Sequence, residues 1–367
     1  MEIRLDFLRY LETDAAVNIL ACLDDTSDLI RASLVSHFWC DFVVSNGLCK
    51  QLCLRKFPQL ANIAYVTEPS HKVKNPTDVG SSTSLQWEAL EREHRVYGSI
   101  FRALTKVKAI NCVAEAFGAS STDNYPEESI NNTLDPRDEI LRRFSYWSSK
   151  GQKNPDVPET LIYRLKAGIC LVTEIGIRPF RAYFQNGMPI YSAKSVRFRM
   201  GYPKSPTEIS NLDLPVQQNA DEKIIWTYTS PVFPMSQENV LQHFRLPEPV
   251  LCIGGFVQLE MLGRVQTQEM DEKYYICVSH VQVIGSPLFP AFDVDIFESS
   301  GKFTLKYYPE ALQRTMSTGN SDPSTDLTLG TDERVWEHLE GLVEFLMQRN
   351  PDDDLNLIEW GGNMDDE

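Results

Sequence analysis

The residue types that could do chemistry are scattered along the chain. The six histidines, His37, His71, His94, His243, His280 and His338, are dispersed. His280 follows Ser279 in a run that reads as a strand, and neighbours on a strand point to opposite faces, so the two cannot pair directly as nucleophile and base. There is no G-x-S-x-G, no H-E-x-x-H and no Gly-rich phosphate loop. Gly254-Gly255 stands alone before a strand and reads as a turn. Cys49 and Cys53 lie one helical turn apart with no His or further Cys beside them, which is too few ligands for a zinc site. His94 sits on an apolar stripe and reads as a packed core histidine. No catalytic residue, metal or cofactor is therefore expected, and the chain reads as a non-enzyme. Two segments carry binding chemistry instead: Thr122-Asp123-Asn124-Tyr125 and Pro179-Phe180-Arg181-Ala182-Tyr183-Phe184. Asp123, Asn124, Tyr125, Arg181 and Tyr183 could stack on and hydrogen-bond a sugar or peptide. The plainer alternative is that they fix loop conformation and cover core edges.

Composition bounds the function classes. The 367 residues suit two domains plus connectors. With 51 acidic against 35 basic residues the formal charge is -16, which disfavours nucleic acid as partner. Seven acidic residues and no Lys or Arg fall between Asn350 and Glu367, which reads as a solvated acidic tail. The first residues lack a basic start and a continuous apolar core, and no run reaches the roughly 18 apolar residues of a membrane span. The expected location is cytoplasmic, nuclear or both. There the eight cysteines, none in a C-x-x-C pair, read as small buried hydrophobes. For the same reason the sequon Asn131-Asn132-Thr133 carries no weight.

The elements that would position these residues change character along the chain. Up to about residue 60 the apolar spacing is helical. Ala15, Val17, Ile19, Leu20 and Leu23 crowd one side of a short helix that Thr13 or Asp14 could cap. Asp24 to Ser27 breaks it and caps a second, carrying Leu29, Ile30, Leu34 and Val35. Phe38, Trp39, Phe42 and Val43 share the face of a third. Leu48, Leu52 and Cys53 suggest a fourth, closing at Pro58. The ordered set Leu11, Val17, Ile19-Leu20, Leu23-Asp24, Asp28-Leu29, Arg31, Leu34-Val35-Ser36, Trp39 and Phe42-Val43 resembles the F-box over about 45 residues. That resemblance implies docking to a Skp-family linker, itself bound to a cullin scaffold, through Leu11, Val17, Leu20, Leu23, Leu34, Val35 and Trp39. The family usually opens with Leu-Pro, whereas Glu12 follows Leu11 here. Losing the proline that stiffens this entry puts partner affinity in doubt.

Glu68 to Ser84 is polar and reads as a linker. Leu90, His94, Tyr97, Ile100-Phe101, Leu104 and Val107 then step by three and four, predicting a long helix, taken as a strut between domains. From about Ile110 the period drops to two. Leu161–Leu165, Ile169–Ile175, Ser195–Met200, Ile224–Tyr228, Phe256–Met261 and Tyr274–Ile284 read as strands. In Ser195–Met200 the residues Val196, Phe198 and Met200 face one way and Arg197 and Arg199 the other. So many strands predict a sandwich or jelly roll. Ala119-Ser-Ser121, Leu134-Asp135, Tyr146-Trp-Ser-Ser149, Ile175-Gly-Ile177, Phe256–Gly263, Tyr274-Tyr-Ile276 and Val281–Gly285 resemble the galactose-binding-like, discoidin-type sandwich. Together the two stretches resemble plant F-box proteins with such a C-terminal sandwich. After Pro309 a Ser/Thr-rich loop precedes an amphipathic helix carrying Val335, Leu339, Leu342, Val343 and Leu346. The apolar island Leu355–Trp360 follows, either a docking peptide or a segment packed back on the domain.

The fold class expected is α+β multidomain: a small N-terminal helical F-box (1–60), a linker and connecting helix (61–108), an antiparallel β-sandwich or jelly roll (109–295), and an extension with a C-terminal helix and acidic tail (296–367). The expected role is the substrate adaptor of an SCF-type ubiquitin ligase recruiting an unknown protein or glycoprotein. The alternative is a carbohydrate- or peptide-binding module whose helical bundle is only structural. No nucleic-acid or membrane partner is expected.

Overall fold

The computed structural model describes residues 6–69, 82–105, 109–137, 139–140, 143–205, 209, 215–216, 220–297 and 301–312. The expected helix near 331–347, the acidic tail and the island at 355–360 lie outside the described residues, as do 70–81 of the polar stretch. The chain divides into two compact units.

The helical unit contains α1 (Thr13–Leu20), α2 (Thr26–Ser33), α3 (His37–Ser45), α4 (Leu48–Lys56) and α5 (Ser82–Thr105). Glu12, not Thr13 or Asp14, holds the cap position of α1, in extended backbone and without a side-chain cap bond. The two expected caps are already inside the first turn. Asp25 caps α2 by accepting from the Ser27 N–H at 2.7 Å, and Ser36 caps α3 through the Trp39 N–H at 3.3 Å. Gly47, at φ 58°, supplies the left-handed residue before α4. Ala16, Leu20, Leu29, Ile30, Val43, Val44, Leu48 and Leu52 form a core. The long helix is not a free strut. Its stripe of Val96, Tyr97, Ile100, Phe101 and Leu104 is buried, and α5 packs on α2, α3 and α4. At about 1.5–3 kcal/mol per buried side chain, the stripe contributes on the order of 10 kcal/mol gross. Lys50 clamps the same contact, 3.0 Å from Glu93 and over the Tyr97 ring. No described helix is long and apolar enough to cross a membrane.

The second unit starts with β1 (Ile63–Thr67), β2 (Ile110–Asn111), β3 (Val113–Ala119), β4 (Glu139–Ile140), β5 (Arg143–Phe144), β6 (Trp147–Ser148), β7 (Glu159–Leu165) and β8 (Ile169–Pro179). It continues with β9 (Ala193–Pro203), β10 (Ile224–Thr229), β11 (Phe233–Pro234), β12 (Gln242–Ile253), β13 (Phe256–Arg264), β14 (Cys277–Pro287), β15 (Phe292–Ile296) and β16 (Phe303–Tyr307). Two antiparallel sheets, β10-β9-β13-β7-β3 and β12-β8-β14-β2, form the sandwich, with β11 added on β9 and β6 on β14. Val196, Phe198 and Met200 point into the shared core with Val257, Leu259 and Met261. On the outer face Arg197 and Arg199 flank Glu260, Arg197 at 2.6 Å. Gly254 and Gly255, at φ 98° and 72°, make the β12–β13 turn.

The chain's division differs from the expected one in two places. Residues 63–67, expected in the linker, form β1, which pairs in parallel with β16. Residues 303–307, expected in the extension, are the middle strand of that three-stranded sheet. The strand β12 was missed because Pro247 and Pro249 interrupt its pattern. It is an edge strand whose pairing with β8 shifts between Arg245 and Val250, and proline is tolerated at edges and bulges.

Candidate functional site

In the helical unit the residues proposed for partner docking separate by burial. Val35, in the α2–α3 turn, is 62% exposed and Leu11 is also exposed, whereas Leu20 is core at 5%. Val17, Leu23, Leu34 and Trp39 are half-buried. Trp39 is covered by the preceding turn: Phe7 meets its ring edge-on at 5.1 Å, and Asp6 accepts from its indole N–H at 2.9 Å. Tyr10, Ile19 and Phe38 are further exposed apolar residues outside the expected docking set. Leu20, Leu23, Leu29, Leu48 and Leu52 also line a cavity of about 160 Å³. Arg55 edges it, donating to the Leu23 carbonyl at 2.8 Å and to Asp24 at 3.0 Å.

In the sandwich, strand registers put the described residues of the loops 120–158, 180–192, 231–241 and 265–276 at one end. Arg264 ties together the bases of two of them, 120–158 and 265–276. Its side chain is fully buried, its Nε donates to the Val157 carbonyl at 3.1 Å, and its Nη1 donates to Ser149 Oγ at 2.9 Å and to the Lys150 and Tyr274 carbonyls at 3.0 Å. Its Nη2 pairs with buried Glu159, which also accepts from Ser120 and Ser121. A buried charge needs such full pairing to be tolerated.

On these bases the loops assemble an aromatic surface. Tyr146 stacks on Phe180 with centroids 3.9 Å apart, Phe144 stacks on Tyr183 at 5.8 Å, and Phe184 lies 5.6 Å from Phe144. Phe180 is buried, whereas Phe144, Tyr183 and Phe184 are exposed, Phe184 at 56%. The Tyr146 hydroxyl donates to Glu128 at 2.7 Å and thereby ties this cluster to the 123–128 loop. Partial desolvation raises the Asp123 carboxyl above its usual range, and Glu128 and Asp271 push it the same way against Lys273 and Lys150. The Tyr275 hydroxyl donates to Asp271 at 2.8 Å and its ring meets Tyr191 edge-on. Burial, then Asp271, raises the Tyr275 phenol.

Asp123, Asn124 and Tyr125 are exposed on one of these loops, and half-buried Arg181 and exposed Tyr183 lie on the other. Both segments sit at the same end, joined through Tyr146. Among the described residues no group of three or more His, Cys, Asp or Glu could hold a metal ion. Cys49 and Cys53 are buried free thiols, and burial pushes Cys49 up to about 12. His94 is buried, its Nδ1 has no hydrogen-bond partner, and burial lowers it to about 4. His280 is also buried, with Nδ1 2.9 Å from the Thr133 carbonyl.

No family model matches the chain. A curated F-box protein of Arabidopsis thaliana is 45% identical over 369 residues, covering 99% of this chain and 97% of that protein. The chain belongs to the F-box protein family. Solved structures similar to this F-box protein match about half of it. A family 32 carbohydrate-binding module of C. perfringens in complex with galactose is 10% identical, covers 50% of the chain and 96% of its own, and has a TM-score of 0.28. An F5/8 type C domain from Bacteroides fragilis is 12% identical over 50% of the chain and 94% of its own, with a TM-score of 0.31. What sequence reasoning missed in the F-box protein is the pairing of Arg264 with Glu159 and the contributions of Phe144, Tyr191, Glu128 and Asp271. These lie far apart in the chain, and only the sheet registers bring them together.

Proposed function

We propose that this F-box protein is a substrate-recognition adaptor of a cullin-based, SCF-type ubiquitin ligase. The helical unit docks to a Skp-family linker bound to a cullin scaffold, and the loop end of the sandwich recruits a target protein or glycoprotein in the cytosol or nucleus. The observation that carries this reading is the kinship with an F-box protein over 99% of the chain, both units included. Exposed Val35, Leu11 and Ile19 support it, since apolar surface on so small a bundle fits a partner-binding patch. The adaptor acts by tethering, raising the target's effective concentration near the conjugating enzyme to about millimolar.

The test is co-expression of the chain with a plant Skp-family linker, followed by size-exclusion chromatography. A one-to-one complex is expected. The variant Leu11→Asp with Val35→Asp should lose it while keeping its helical circular dichroism. Both side chains are exposed, so the loss would report docking; the same change at buried Leu20 would report folding. An undiminished complex in the double variant would sink the docking assignment. A second reading, a carbohydrate- or peptide-binding module with a structural bundle, draws on the exposed rings of Phe144, Tyr183 and Phe184. It becomes the leading one if well-folded chain and linker elute apart and a glycan array is bound.

A further inference from the structure

Three of the buried cysteines meet in the core of the sandwich, at the end away from the aromatic loops. Cys112 is the single residue between β2, in one sheet, and β3, in the other, so it marks where the chain crosses between the layers. Cys170 lies on β8 and Cys252 on β12, directly opposite one another in the register. All three are free thiols in the same apolar cluster.

Strand geometry decides which two sulfurs can join. Gly254 donates its N–H to the Gly168 carbonyl at 2.7 Å, two residues further along the β8–β12 ladder. Pairs alternate along an antiparallel ladder, so Cys170 and Cys252 form a hydrogen-bonded pair. Their Cβ atoms then stand about 5.5 Å apart, beyond the roughly 3.5–4.5 Å that a disulfide spans. Cys112 and Cys170, by contrast, have thiols hydrogen-bonded to each other. Each thiol also reaches a carbonyl, Cys112 that of Ile110 at 3.6 Å and Cys170 that of Ala167 at 3.4 Å.

Cys112 is the more nucleophilic of the two. Lys166 is pinned beside it, its N–H donating to the Cys112 carbonyl at 2.8 Å and its ammonium to the Asn111 carbonyl at 2.7 Å. The hydrogen bond from Cys170 lowers the Cys112 thiol below its ordinary range; burial opposes the shift and Lys166 adds to it. The same bond, with burial, raises Cys170. A thiolate-prone sulfur beside a second thiol is the arrangement that oxidants convert to a disulfide. The way in is β2, a two-residue edge strand whose Ile110 is exposed, and short edges open locally.

We infer that Cys112 and Cys170 form a reversible redox pair: a hydroperoxide joins them in a disulfide that staples the crossing between the sheets to β8, and a dithiol reopens it. The Cys112 thiolate attacks hydrogen peroxide, the O–O bond breaks, and hydroxide leaves with the proton that Cys112 gave up, leaving a sulfenic acid. The Cys170 sulfur attacks the Cys112 sulfur, the S–O bond breaks, and the hydroxyl leaves as water with the Cys170 proton. Two thiols and one peroxide thus give one disulfide and two waters. A dithiol returns both thiols and keeps the disulfide itself. The pair is separate from linker docking and from the loop end.

The experiment treats the full chain with hydrogen peroxide, blocks remaining thiols with N-ethylmaleimide, and maps cross-linked tryptic peptides by mass spectrometry. Exposed Cys22 should lose its thiol first. The peptide holding Cys112 should then appear joined to the one holding Cys170, and dithiothreitol should separate them. The joined form should melt about 5 °C higher, because the bond restricts the unfolded chain. Cys252→Ala should keep the bond, and Lys166→Gln should slow its appearance about 3-fold or more. The inference is overturned if Cys22 is fully oxidised in folded chain and the joined peptide is absent, or if Cys252 takes the place of either partner. It is equally overturned if dithiothreitol does not reverse the bond or if the joined form melts no higher. An unchanged rate in Lys166→Gln would overturn the part given to Lys166. The joined peptide is read in the unsubstituted chain, so a variant that fails to fold does not obscure the result.

Discussion

Arg264 shows how one side chain can tie two loops together at one end of the sandwich. Its guanidinium is buried with every nitrogen engaged, and it is the charge partner of an equally buried Glu159. Removing it leaves a carboxylate without a counter-charge and takes the guanidinium donor from the Val157 and Lys150 carbonyls, while the Tyr274 carbonyl keeps the Gln152 N–H. Arg264→Met should therefore destabilise the sandwich by about 3–5 kcal/mol in denaturant unfolding, with Glu159→Gln in the same chain recovering part of the loss. A cost under about 1 kcal/mol would mean that the loops are held some other way. His94 sets a second expectation, for the helical unit. Its folded pKa, about 4, lies below the ordinary value near 6.5, because burial penalises the charged ring. The unfolded chain thus binds the extra proton first as pH falls. The stability His94 contributes is complete above about pH 6.5 and is lost towards pH 4, a total of about 3 kcal/mol. Asp41 and Glu91, raised mainly by burial, act with the opposite sign. The measurement is accordingly a difference: unfolding of the wild type minus that of His94→Phe at pH 7 and pH 4. An equal difference at both values would contradict the account.

At the scale of elements, the departure from Leu-Pro at the entry to α1 becomes an experiment. Glu12 sits at φ -64° and ψ 147°, and its side chain makes no cap bond. That φ is the one proline imposes. Glu12→Pro should fit there, reduce the freedom of the unfolded segment, and stabilise by about 0.4–1 kcal/mol. If docking needs this turn in its present conformation, linker affinity should rise about 2–5-fold in a titration. A fall would show that the turn rearranges on binding. The same scale shows what the sequence could reveal. Periods of 3.6 and 2 are local, so the four short helices, α5 and the six strongest strands were legible. The cap of α2, Asp25, fell within the expected Asp24–Ser27, but that of α1 was not legible, because Glu12, Thr13 and Asp14 all offer oxygens and only the backbone chooses among them. The short strands β1, β15 and β16 carry too few residues for a pattern. Of the candidate site, the aromatic and Arg loops announce themselves by type, while Tyr146, Glu128 and Asp271 join them only in the folded chain.

For the whole molecule, the path of the chain matters more than any single contact. It runs through the four short helices, gives β1 to the second unit, returns as α5 to the helices, and then builds the rest of the sandwich. No single cut separates the two units intact. A fragment of residues 1–65 would keep the short helices but lose α5, and with it the cover that Val96, Tyr97, Ile100 and Phe101 provide. A fragment of residues 109–312 would lose β1 and leave β16 with one bare edge, and unpaired edges template aggregation. Both fragments should therefore be less soluble than the full chain. Supplying residues 61–69 through a flexible linker at the start of the second should rescue it. Analytical ultracentrifugation of the fragment with and without that segment is the check. Monomer in both cases would show that β1 is dispensable and that the sandwich ends where the period-two pattern does. Rescue by the added strand would establish that the two units share a chain path which must be kept whole, so linker and target binding should be measured on the intact chain.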